Sequence, residues 1–240
     1  MIDNTRGIVL KTIKYRDTSA IVDVFTEKFG LKTYIVNSVF KAKPRVAPSL
    51  LQLGSALQMV VYNKEGRKIN RIREVRADFY PGATITDLRR SAIKLFMVEL
   101  SRKTLQFDEP QSGLFSELRD SVYQVENSEQ PVVNCHLYFL VRLLIHFGLF
   151  PDLSGWPEKK ILSVQEGTLF EETPEKGLLI PSQMVRILVE LEASDRLGLH
   201  EVKLSREERQ SFIEHMLSYY NFHIENFSQM NTHLIYKQLM

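Results

Sequence analysis

Apolar and polar residues alternate through the first seventy-six positions, and then the period changes. Arg6–Tyr15 (RGIVLKTIKY) places Val9, Lys11 and Ile13 on one side of an extended chain, with Ile8, Leu10, Thr12 and Lys14 on the other. Its β-branched content predicts a strand. Ala20–Thr26 and Leu31–Val39 read as a hairpin around Lys28-Phe29-Gly30, where a glycine can take positive φ. Phe40–Ala47 is a basic loop interrupted by Pro44, and Pro48–Leu53 reads as a turn or bulge. Ala56–Tyr62 and Lys68–Arg76 are a fourth and a fifth strand, joined by a turn at Asn63–Arg67.

Phe79-Tyr80-Pro81-Gly82 ends this region, because proline and glycine break the pattern. A helical period follows over Asp87–Leu105, with Thr84 or Thr86 as its cap and Asp87 in its first turn. Gln111–Val125 is a second helix. Val132–Phe147 is a third, apolar on nearly all sides and expected at the centre of its domain, with Gly148 ending it. Pro151–Ile180 carries three prolines and three glycines without a helical period, so it reads as an irregular insertion with short strands at Ile161–Val164 and Thr168–Phe170. Pro181–Leu191 and Ser205–Phe222 are helical, the latter opened by a capping box of Ser205 and Glu208. Glu225–Met240 reads as a turn and a closing helix.

Five short strands in about seventy residues suit a closed or partly open barrel, since a flat sheet of that size leaves long edges to protect. The OB-fold is the usual five-stranded solution. The expected class is therefore α+β, multi-domain. An OB-fold barrel spans residues 1–80, and an all-α domain spans residues 81–240 with an irregular insertion at about 151–180.

Charge sharpens this division. Met1–Arg76 holds fifteen Lys and Arg against six Asp and Glu, whereas the whole chain holds 31 against 29. The rest is therefore acidic, and a net +2 hides two stretches of opposite sign. Such asymmetry suggests that the basic part meets a polyanion. The single cysteine, Cys135, excludes an intramolecular disulfide and a cysteine cage for zinc within one chain. Met1–Arg6 lacks the apolar run of a secretory signal, and the longest apolar run, Leu137–Leu149, is interrupted by Arg142 and His146. An intracellular protein that does not span a membrane is expected.

Catalytic motifs are missing: the chain has no glycine-rich phosphate loop, no GxSxG and no HExxH. His136 and His146 are wrongly spaced for one helical metal site, and His215 and His223 are eight residues apart, so packing roles are expected for the histidines. Asp17 and Asp23 are conceivable as a nuclease metal pair, but Asp17 before Thr18-Ser19 is explained by turn hydrogen bonding. Cys135, on an apolar helix, reads as a core residue.

The positive signal is basic. Lys11, Lys14 and Arg16; Lys41, Lys43 and Arg45; and Lys68, Arg71 and Arg73 form three groups able to converge on one barrel face. Lysine and arginine there would neutralise phosphates and release counterions. Tyr15, Phe29, Tyr34, Phe40 and Tyr62 are aromatics that either stack on bases or fill the barrel. No metal or cofactor is expected.

Gly7-Ile8-Val9-Leu10-Lys11-Thr12, Tyr15, Asp17–Val22, Phe25-Thr26 and Phe29-Gly30, followed by the basic loop Lys41–Arg45, resemble the opening of the RecO family of bacterial recombination mediators. Leu143–Leu153 (LLIHFGLFPDL) is similar to the stretch after the central helix of that family, and the order of modules matches along essentially the whole chain. The resemblance implies a cytoplasmic, nucleoid-associated DNA repair protein rather than an enzyme. It implies binding to single- and double-stranded DNA, annealing of complementary strands, and help in loading RecA. The partners it implies are RecR and the C-terminal tail of the single-strand DNA-binding protein. Many family members bind zinc through four cysteines in the insertion. Ser154-Gly155-Trp156 and Leu178–Pro181 stand there instead, so the zinc site is not carried over, and packing by Trp156 and Phe170 is expected to replace it. A protein-docking adaptor, an RNA-binding OB protein and a hydrolase using Asp17 and Asp23 are the competing readings.

Overall fold

β1 is a single long strand, Ile2–Tyr15, that pairs along both of its edges. Its first half pairs antiparallel with β4 (Ala56–Tyr62), and its second half pairs with β2 (Ser19–Thr26). β2 continues as a hairpin into β3 (Gly30–Val36), turning at Gly30 with φ +66°. β4 pairs with β5 (Ile69–Ala77), and a short parallel contact of Thr33–Ile35 with Ile69–Arg71 closes the ring. The order β1-β2-β3-β5-β4 is a closed five-stranded, OB-like barrel, as the spacing of the strands predicts. The computed structural model describes residues 2–64, 66–80, 82–105, 109–174, 176–227 and 229–232.

One detail of β1 corrects the simple alternation. The register shifts between Val9 and Lys11, so the two do not share a face. Val9 opposes Val24 inside, with Val22, Tyr34, Leu57, Met59 and Val61. After the bulge, Lys11 and Ile13 point outward. Gly7 sits where the interior is tightest. A Cβ there would lie 2.5 Å from Val24 Cγ1 and 2.6 Å from Met59 Cε, which is the packing reason for a glycine in that strand.

By packing, the chain forms two compact units, Met1–Asn127 and Ser128–Met240. In the first, α1 (Leu88–Thr104) and α2 (Ser112–Asn127) cover part of the barrel, with Phe115 meeting Phe25 edge-on at 5.8 Å. The cap of α1 is Asp87 itself, which accepts from the amides of Arg89 (2.8 Å) and Arg90 (3.3 Å). Neither Thr84 nor Thr86 takes that place. The Thr84 hydroxyl is used instead by the buried Glu126, to which it donates at 2.6 Å.

The second unit holds α3 (Cys135–His146), α4 (Ser182–Ala193) and α5 (Arg206–His223). α3 is buried on most sides, as its composition predicts, and Tyr220 Oη donates to the Leu140 carbonyl at 2.7 Å. Ser205 and Glu208 form the expected capping box. The insertion contains three strands rather than two: β6 (Ile161–Ser163), β7 (Leu169–Phe170) and β8 (Leu179–Ile180), in the order β7-β6-β8. Leu162, Val164, Leu169 and Ile180 are its buried aliphatic residues, whereas Trp156 and Phe170 are only half-buried. His223 Nε2 donates to the Val164 carbonyl at 2.7 Å and fixes this segment to α5. Aliphatic packing and this bond thus hold the insertion. The closing helix expected in Glu225–Met240 lies, beyond Thr232, outside the described residues, as does His233. Among the described residues no helix is long and apolar enough to cross a membrane.

Candidate nucleic-acid interface

The nine basic residues are exposed or half-exposed on the barrel, and its topology joins them in pairs of groups. Lys14 lies near the end of β1. Arg16 follows in a tight turn at φ +53°, with its guanidinium 5.2 Å from the Tyr15 ring. The loop after β3 comes back against this turn, because the Phe40 amide donates to the Thr18 carbonyl at 3.1 Å. Phe40 is 42% exposed, and Lys14 Nζ stands 5.8 Å from its ring centre. Phe40 therefore brings Lys14 and Arg16 next to the loop that carries Lys41, Lys43 and Arg45.

Arg45 and Arg73 meet in a different place. Both line an open groove of about 910 Å³, with Arg6, Arg76, Glu27, Glu74 and the apolar Val46, Met59, Val60 and Val75. Arg71 pairs with Ile35 of β3 and with Tyr62 of β4. In register with them lie Ile21 and Ile13, so Arg71 and Tyr62 continue an outward row of three isoleucines. Lys68 precedes β5 and is exposed, but it lines neither the groove nor the Phe40 contact. Lys14 and Arg16, the loop cations, and Arg73 thus form a belt that runs through the loop, and Lys68 stands outside both contacts.

Sequence reasoning missed Arg6 and Arg76. Arg6 pairs with Gln58, and Gln58 with Arg76, so one cross-strand row carries an arginine at each end. Only the pairing register reveals that row. Arg76 Nε donates to Gln58 Oε1 at 2.9 Å, Gln58 Nε2 to Asp78 Oδ1 at 2.8 Å, and Arg119 Nε to Asp78 Oδ2 at 2.7 Å. Burial pushes the Asp78 carboxyl up, but the bonds from Gln58 and Arg119 outweigh it and hold the group below the usual carboxylate range.

The electrostatics of the belt are one-sided. Among the described residues, Lys11, Lys14, Arg16, Lys41, Lys43, Arg45, Lys68 and Arg71 take part in no ion pair. Arg73 meets only its neighbour Glu74, at 3.3 Å, both well exposed. Cations left without carboxylates remain available to phosphates.

The aromatics divide cleanly. Tyr34 is fully buried in the core, where burial pushes its phenol up, and Phe29 packs against that core. Tyr15 is half-buried, and only Phe40 and Tyr62 offer open ring surface, Tyr62 being 46% exposed.

The residues weighed for other chemistry have structural tasks. Asp23 accepts from Thr33 Oγ1 at 2.7 Å across a strand pair, and Asp17 lies exposed in its turn. Cys135 is buried. His200 and His215 each turn Nδ1 to a backbone carbonyl, at 2.9 and 2.8 Å. Among the described residues no group of three or more His, Cys, Asp or Glu is placed to hold a metal ion.

Comparisons with known proteins agree along the chain. Residues 1–78 match the family model for the recombination protein O N terminal, and residues 85–231 match that for the recombination protein O C terminal. The chain is 26% identical over 232 residues to the DNA repair protein RecO of Azobacteroides pseudotrichonymphae, covering 97% of this chain and 96% of that one. It is 28% identical over 237 residues to the DNA repair protein RecO of Porphyromonas gingivalis, covering 97% and 96%. With that of Flavobacterium psychrophilum it shares 26% over 244 residues, covering 98% of each.

Proposed function

Because the chain belongs to the RecO family of DNA repair proteins, we propose that it binds single- and double-stranded DNA, anneals complementary strands and mediates RecA loading in recombinational gap repair. The observation that carries this reading is the belt of cations around an OB-like barrel, all but Arg73 without an ion pair among the described residues. Annealing is opposed by repulsion between two phosphate backbones. Lys11, Lys14, Arg16, Lys41, Lys43, Arg45, Lys68, Arg71 and Arg73 supply mobile positive charge that screens it, with release of condensed counterions. Phe40 and Tyr62 add ring surface on which an unpaired base can stack. No covalent bond is made or broken, so the work requires no acid, base or metal. RecR and the C-terminal tail of the single-strand DNA-binding protein are the proposed partners, and the bacterial cytoplasm is the proposed location.

We further propose that the barrel, 1–80, and the helical part, 81–240, act as two functional modules. The division between the two family models, at residues 78 and 85, supports this. The compact unit that includes the barrel nevertheless extends through α2.

The test is fluorescence anisotropy of a labelled oligonucleotide against salt concentration, with chelator present, followed by annealing with its complement. Binding that falls steeply with salt, by about −0.7 in log–log slope per neutralised phosphate on single strands, is expected. Binding that is absent or indifferent to salt would give the basic barrel to a protein partner instead.

A further inference from the structure

The arginine groove holds four guanidiniums but is not empty of negative charge. Arg6 donates from Nε to Glu27 Oε2 at 3.0 Å and from Nη2 to Oε1 at 2.5 Å, a two-pronged grip. The hydrogen bond from Arg6 holds the Glu27 carboxyl below its usual range, against the opposing effect of burial. Arg73 meets the Glu74 carboxylate at 3.3 Å. Both pairs are open to solvent: the Arg6 and Glu27 side chains are 38% and 30% exposed. The single-pronged Arg73–Glu74 contact is weak, screened by salt and easily exchanged, whereas the two-pronged Arg6–Glu27 pair is the firmer of the two.

A guanidinium fork takes a carboxylate and a phosphate in the same geometry. Glu27 and Glu74 therefore stand where the oxygens of a bound phosphate would stand. Arg76 uses Nε on Gln58, which steers its remaining N–H groups without neutralising its charge. The groove is open, and its rim includes Arg45 at the end of the loop that carries Lys41 and Lys43. That continuity suits a polymer entering along the loop better than a small free anion. Val46, Met59, Val60 and Val75 line it with apolar surface for sugars or base edges.

We propose that the groove bounded by Arg6, Arg45, Arg73 and Arg76 is a binding site for a nucleic-acid phosphodiester backbone, masked in the free protein by Glu27 and Glu74. The proposal rests on the DNA-binding reading above and adds to it a site and a regulation. Phosphates displace the two carboxylates when DNA enters. The masking lowers affinity for loose anions and reserves the groove for a strand already held by the loop.

The experiment measures binding of a labelled oligothymidylate by anisotropy across a salt series. Glu27→Gln/Glu74→Gln should tighten binding by roughly three- to tenfold, since two exposed ion pairs no longer compete. It should leave the log–log salt slope close to that of the wild type, because the same arginines meet phosphates in both proteins. Arg73→Gln/Arg76→Gln should weaken binding and flatten the slope by about 1.4, from two lost phosphate contacts at about 0.7 each. Arg73, Glu74 and Arg76 are exposed and Glu27 is half-buried, and an unchanged unfolding midpoint verifies the fold. Glu166→Gln/Glu201→Gln, which removes the same charge in the other compact unit, should leave both quantities unchanged.

Wild-type protein that fails to bind the oligonucleotide at low salt overturns the DNA reading and the groove with it. Wild-type protein that binds, with both groove variants matching it in affinity and slope, overturns the groove alone. Tightening by the Glu166/Glu201 control to the same extent reduces the effect to net charge and also overturns it. Competition for the groove by polyglutamate rather than by oligonucleotide would assign it to an acidic protein segment, and would overturn it too.

Discussion

Lys94 and Lys41 belong to the same compact unit and meet opposite fates. Lys94, on α1, is 13% exposed and donates to Glu126 Oε1 at 2.7 Å and to Thr84 Oγ1 at 3.0 Å. Glu126, 2% exposed, also accepts from the Thr84 hydroxyl and from the Gly82 amide at 2.9 Å, so every charge there is answered. Burial pushes the Glu126 carboxyl up, but the bonds from Lys94, Thr84 and Gly82 hold it below its usual range. Arg119 of α2 repeats the arrangement with Asp78 at the end of β5, and Lys103 pairs with Glu99 within α1. Lys41, in the barrel loop, stands in solvent with no carboxylate in an ion pair with it among the described residues. Matched cations fasten the helices together and to the end of the barrel. Unmatched ones contribute little to folding and remain free for a ligand.

The contrast is broken most strongly at Glu126. Glu126→Gln leaves Lys94 buried without its counter-charge, and should destabilise the protein by about 3–5 kcal/mol in urea unfolding. A loss below about 1 kcal/mol would mean that the pair is no better matched than a surface one. Acid should act on the same groups. The folded-state values of Glu126 and Asp78 are depressed, so their contribution is fully present above the unfolded carboxylate value of about 4.3. It is lost as pH falls through their lowered folded values.

His136 extends the comparison to a basic group that is buried and kept neutral. Burial, and then the charge of Arg209, push it down to about 3, whereas the unfolded chain titrates near 6.5. The unfolded state alone gains a proton between these values, so stability should fall as pH drops below about 6.5. The loss is about 2 kcal/mol by pH 5 for one proton. His136→Leu should flatten that pH dependence between 7 and 5, measured by urea unfolding at each pH. Smallest is the effect expected in the belt: Lys41→Glu/Lys43→Glu/Arg45→Glu should change stability by less than about 0.5 kcal/mol.

Much of this arrangement was legible in the chain. Strand alternation, the turn at Gly30 and the ordered family residues led to an OB-like barrel followed by helices, and the capping box at Ser205 is written in four consecutive residues. Local pattern carries such features because each is decided within a few residues. Features decided by pairing were not legible. The bulge that turns Val9 inward and Lys11 outward depends on β2 opposing β1. The row Arg6–Gln58–Arg76 needs three strands in register. Asp87 is the cap of α1, whereas Thr84 lies in the preceding turn and serves Glu126, forty-two residues away. The insertion rests on aliphatic residues that β-strand periodicity over two or three positions cannot mark.

The most direct test of the belt as a DNA track is the salt dependence of oligothymidylate binding by Lys41→Glu/Lys43→Glu/Arg45→Glu beside the wild type, with unfolding midpoints measured on the same samples. The account predicts weaker binding and a log–log slope shallower by about 2, from three lost phosphate contacts at about 0.7 each, with the midpoint unchanged. A slope equal to that of the wild type would remove the loop from the track and contradict it.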